Sequence, residues 1–188
     1  LHSASISGCS DVVKFLYDKR PELLEAKDKD GEIPLHVAAG NGHLDIVTYF
    51  LAKDVHIDTT DNFVQTPLFG AARNGHIEMV MHLHKDGAAI ELKDVKRRTP
   101  LHLAAKSSAH LGMIKYLHNC GIDIHDTDND GRTPIESAIS SYSSFGEGKN
   151  LLGVVSYLSQ QMVRDWLSDP QVDKWLELAI QEGCTEIV

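Results

Sequence analysis

Thr99-Pro100-Leu101-His102-Leu103-Ala104-Ala105 is the stretch that decides the fold, because it returns in three other versions. They are Ile33-Pro34-Leu35-His36-Val37-Ala38-Ala39, Thr66-Pro67-Leu68-Phe69-Gly70-Ala71-Ala72 and Thr133-Pro134-Ile135-Glu136-Ser137-Ala138-Ile139. Their prolines stand 33, 33 and 34 residues apart. A second string follows each of the first three in the chain: Gly42-His43-Leu44-Asp45-Ile46-Val47, Gly75-His76-Ile77-Glu78-Met79-Val80 and His110-Leu111-Gly112-Met113-Ile114. Self-similarity at one fixed period is the mark of a repeat architecture.

Each recurring residue has a physical task. Pro34, Pro67, Pro100 and Pro134 suit the first position of a helix, where the missing N–H is not needed. Thr66, Thr99 and Thr133 precede them and are expected to cap that helix. The alanine pairs are small enough to let neighbouring helices approach. Gly42 and Gly75 are expected to end the first helix of their units, where a left-handed residue costs little. Ile46, Val47, Phe50 and Leu51 form an apolar stripe on a second helix. Gly31, Gly87, Gly121 and Gly131 punctuate the turns. One such unit cannot bury its apolar face alone, whereas stacked units share a continuous core.

These strings resemble the ankyrin repeat, and the resemblance covers essentially the whole chain. It implies an all-α solenoid of helix-turn-helix units with short hairpin tips. It divides a single array at 1–188 into a partial repeat at 1–27, regular repeats at 28–60, 61–93 and 94–127, an irregular repeat at 128–168 and a partial repeat at 169–188. Leu1 to Val13 and Leu176 to Val188 read as incomplete units without polar capping repeats. The natural protein is therefore expected to extend in both directions. The irregular repeat carries a Ser/Gly-rich insertion at 140–150, which reads as a loop between its two helices. That loop is either a tolerated surface insertion or a segment that reaches a partner with Tyr142 and Phe145. Met162 to Leu167 reads as extra helix, and Trp166 and Trp175 are expected to seal the joint that follows.

The 188 residues are 42% apolar and 24% charged, which is ordinary for a folded chain. The formal net charge of −9 argues against a general nucleic-acid binder. No run approaches the about 18 apolar residues of a membrane span. Cys9, Cys120 and Cys184 are odd in number and widely spaced, so they form neither a disulfide framework nor a zinc motif. A reducing, cytoplasmic setting is the expectation; a secreted protein, or one delivered into a host cell, is the alternative.

Sequences that imitate chemical sites have a simpler reading. Asp126-Thr127-Asp128-Asn129-Asp130-Gly131 starts like a calcium-binding loop, but the position that needs a bidentate glutamate is Ser137, and Pro134 falls inside it. The same residues fit an inter-repeat turn. Of the eleven histidines, His2, His36 and His102 share one repeat position, and His43, His76 and His110 share another. In both, histidine is expected to bond backbone groups that hold the turns. No nucleotide-binding, nucleophile-elbow or zinc-protease motif occurs. The expectation is a protein that is no enzyme and needs no cofactor or metal.

What remains is a binding function. The resemblance implies contact through the turn tips and the exposed face of the first helices. On those positions the candidate partner-binding residues are Phe63, Gln65, Arg73, Asn74, Lys96, Arg98, Lys106 and Arg132. Phe63 is a large apolar side chain at a tip that is usually polar; it either packs onto a neighbouring turn or anchors an interface. Arg73, Lys96, Arg97, Arg98, Lys106 and Arg132 recur over three repeats of an acidic chain. They are either ordinary solvated charge or a docking patch for an acidic surface or peptide. The expected role is a protein–protein interaction scaffold. The alternative is an arm of a larger secreted toxin or delivered effector whose activity lies elsewhere in the chain.

Overall fold

The computed structural model of the chain describes residues 1–107, 110–140 and 151–165. Those residues form ten α-helices and one 3₁₀ turn, with no strand among the described residues. The chain divides into two compact units, Leu1–Val95 and Lys96–Val188. The first holds α1 (His2–Ser7), α2 (Ser10–Lys19), the 3₁₀ turn Pro21–Glu25, α3 (Pro34–Gly40), α4 (Leu44–Leu51), α5 (Pro67–Asn74) and α6 (Ile77–Lys85). The second holds α7 (Pro100–Ser107), α8 (Leu111–Asn119), α9 (Pro134–Ser140) and α10 (Leu151–Asp165).

Most of these helices are too short to persist alone in water. Packing holds them. In the first unit α1, α3 and α5 stack side by side, and α3 and α5 each pack on the second helix of their own repeat. In the second unit α7 packs on α8 and α9, and α9 on α10. The recurring apolar positions are the core. Leu35, Ala38, Ala39, Ile46, Val47 and Phe50 are fully buried, as are Leu101, Ala104, Ile114, Leu117, Ala138 and Ile139 in the second unit. Each large side chain so buried contributes about 1.5–3 kcal/mol.

Two details differ from the expected unit. The first helix α3 ends at Gly40, and Gly42 lies two residues beyond it with φ 77°. A Cβ there would also sit 2.9 Å from the ring of His76, so this position needs glycine both for its conformation and for its neighbour. The threonine caps also do not form alike. Thr133 accepts the Glu136 amide at 3.4 Å, while the Glu136 carboxylate accepts the Thr133 amide at 2.7 Å, which is a reciprocal capping box. Thr66 makes no such bond, and its buried hydroxyl reaches no partner. The hydroxyl's reason lies three residues on: Phe69 stands where the other repeats have His36, His102 or Glu136, its side chain has no polar atom to offer, and its amide bonds the Thr66 carbonyl instead. Residues 141–150, which hold most of the inserted segment, and Trp166 and Trp175 lie outside the described residues.

Candidate partner-binding surface

Three of the four turn tips are built around one carboxylate each. Asp28 accepts the amides of Asp30 and Glu32, both at 2.9 Å. Asp61 accepts those of Phe63 and Gln65 at 2.8 Å, and Asp128 those of Asp130 and Arg132 at 2.9 Å. Each of these aspartates also donates its own amide to the carbonyl four residues on, at 2.9–3.0 Å. Aspartate bonds a turn's backbone well because its side chain is short and accepts twice. The calcium-like string at 126–131 is therefore a tip, with an Asp128 oxygen committed to backbone. Among the described residues no group of three or more His, Cys, Asp or Glu is placed to hold a metal ion.

Histidines tie tips to helices. His36 accepts the Ile33 amide at Nδ1 (3.3 Å), so its proton sits on Nε2, which donates to the Gln65 carbonyl of the next tip at 3.1 Å. His102 repeats the arrangement with the Thr99 amide and the Arg132 carbonyl. His2 reaches the Glu32 carbonyl at 2.8 Å, and His43 reaches back to the Ile6 carbonyl at 3.0 Å. Burial holds the His36 imidazole below its ordinary pKa, which favours the neutral ring this bonding requires.

At the residue before each Glu32-like position the chain takes a left-handed turn. Gly31 has φ 79° and Gly131 φ 72°, but the same register is Val64 at φ 60° and Arg97 at φ 59° in the other two tips. A β-branched residue in that region is a true outlier, and the conformation costs a non-glycine residue about 1–2 kcal/mol. Val64 was not among the residues singled out from the sequence. Its signal was present in the alignment of Gly31 and Gly131 with a valine, but only the backbone angle gives that mismatch a meaning.

Of the sequence-derived set, Phe63, Gln65, Arg73 and Asn74 belong to the first unit. Phe63 is 49% exposed and Val64 46%, so neither is absorbed by a neighbouring turn. The Phe63 carbonyl accepts the amide of Val95, itself 49% exposed. Gln65 is set apart from the other candidates by its burial. It is buried, its amide nitrogen donates to the Asp94 carboxylate at 2.9 Å, and its amide oxygen accepts from Arg73. Through that bond it positions Arg73. Arg73 is half-buried, and Asn74 is exposed while donating to the Gly40 carbonyl at 2.6 Å. The nearby Glu32 carboxyl is pushed up first by burial and then by Asp28 and Asp61, with Arg73 opposing.

Lys96, Arg98, Lys106 and Arg132 belong to the second unit. Lys96, Lys106 and Arg132 are exposed and Arg98 is partly so. Arg132 pairs loosely with Asp130 at 3.5 Å, both largely in water, where such a pair contributes little. The Lys96 carbonyl takes the Asn129 amide at 2.9 Å, which joins this tip to the following one.

No helix among the described residues is long and apolar enough to cross a membrane. A family model described as ankyrin repeats (3 copies) matches residues 1–94 and 68–163. With the paired helices, the aspartate-built tips and the histidine ties, the chain belongs to the ankyrin-repeat family, whose repeats are generally protein–protein interaction modules and are typically non-catalytic.

Proposed function

We propose that this chain binds a protein partner through its turn tips and the exposed face of its first helices. The observation that carries the reading is the second tip. Phe63 and Val64 hold two large apolar side chains in water. Val64 does so in a left-handed conformation that glycine adopts without strain at Gly31 and Gly131. Neither residue supports the core, so stability alone favours a glycine at 64 and a polar residue at 63. Strain retained at such a place points to use, and exposed aromatic side chains are common anchors of interfaces.

The experiment is Val64→Gly. Relief of the left-handed strain, less the extra flexibility of the unfolded glycine chain, is expected to raise stability by roughly 1 kcal/mol. Partner binding is expected to weaken in the same variant, because the side chain is gone. A variant that is both more stable and binds its captured partner as well as the parent contradicts the assignment of this tip.

A further inference from the structure

We infer that the third turn tip receives an acidic segment of a protein partner, with Arg97 as its leading contact. The inference rests on the reading that the tips bind protein, and it adds the chemistry of the partner. Arg97 was noticed in the sequence only as one of several basic residues. Its backbone separates it from them: φ is 59° at a position where two of the four tips carry glycine. Solvated charge kept for solubility has no need of a left-handed position, since any exposed site serves. Arg97 is exposed, and no hydrogen bond or ion pair engages its guanidinium among the described residues.

The surroundings fit an anion. Lys96 and Arg98 flank it in the chain, and Lys96 is exposed as well. The nearest acidic residue in sequence, Asp94, is buried with its carboxylate on Gln65. On the following tip Asp128 is taken up by the amides of Asp130 and Arg132, and Asp130 faces Arg132. The tip is also firmly held: the Lys96 carbonyl accepts from Asn129, and the Thr99 amide and hydroxyl both meet His102. A guanidinium carried on a held backbone forks well onto a carboxylate. The chain's net charge of −9 decides between sources of anion. It repels a long polyphosphate that would run past the tip, whereas a short acidic segment meets only the local basic run.

The test is a randomised twelve-residue peptide display library, selected on the full chain at about 50 mM and about 300 mM salt, with a twelve-nucleotide single-stranded DNA and inorganic phosphate as comparison anions. The expected result is enrichment of peptides rich in Asp and Glu at low salt, fading at high salt as screening shortens the reach of the charges. Arg97→Gly should weaken the best acidic peptide about 5-fold. It should leave the melting temperature unchanged or higher, so the loss cannot be unfolding. Arg97→Lys should keep the salt dependence while losing part of the affinity. Enriched peptides without acidic bias, or an Arg97→Gly variant that binds them as well as the parent, overturn the inference. DNA or phosphate binding as tightly as the acidic peptides also overturns it. If peptides enrich and respond to Phe63→Asp but not to Arg97→Gly, only this inference falls. If no peptide responds to any tip variant, the reading of the tips as binding surfaces falls with it.

Discussion

Thr66 and Thr99 occupy the same place in successive repeats and are both about 1% exposed, yet their hydroxyls differ in value. The Thr99 hydroxyl lies 2.9 Å from His102 Nδ1, while the Thr66 hydroxyl is buried with no partner. A buried hydroxyl without a bond is a desolvation cost, and one with a bond is a modest gain. Thr66→Val is therefore expected to raise stability by roughly 0.5–1 kcal/mol and Thr99→Val to lower it by about 1 kcal/mol. Urea unfolding of the two variants checks this; changes of the same sign, or the reverse order, would contradict the geometry. The same comparison shows where a sequence is silent. That threonine precedes proline is legible, but whether its hydroxyl bonds depends on whether residue 69 or 102 can answer it.

At the scale of elements, His36 joins its helix to the following tip through a neutral imidazole, and this makes the joint sensitive to pH. His36 uses both ring nitrogens, one accepting from Ile33 and one donating to Gln65. Its folded pKa lies below the unfolded value, so below roughly pH 6.5 the unfolded chain takes up the proton first. The stability from this joint is whole above that value and falls as pH drops through it. Glu32 acts the other way: its carboxyl is raised by burial, so acidification through its folded pKa relieves a strained charge and adds stability. Between about pH 7.5 and 5.5 the melting temperature is expected to fall with His36 present, and the slope to flatten in His36→Gln. An unchanged slope in that variant would show that the joint does not titrate. The repeat period, the proline starts and the histidine positions were all legible, because each recurs at the same place in successive repeats. The inward setting of Gln65 was not legible. Its burial is set by Asp94, 29 residues on, and nothing in the tip string itself distinguishes an inward amide from an outward one.

For the whole molecule, the proposal is that turn tips, and not second helices, meet the partner. Two residues of the first unit isolate that difference. Phe63 at a tip is 49% exposed, and Met81 on α6 is 46% exposed. Because both side chains already stand half in water, an aspartate at either place should cost the fold little, within about 0.5 kcal/mol. Only their location separates them. The measurement is the dissociation constant of a partner protein, captured with the unmodified chain, for Phe63→Asp and Met81→Asp side by side, with melting temperatures to confirm folding. The expected result is a loss of about tenfold or more for Phe63→Asp, as for an anchor residue, and a change within about twofold for Met81→Asp. Loss of binding in Met81→Asp with parental affinity in Phe63→Asp would contradict it.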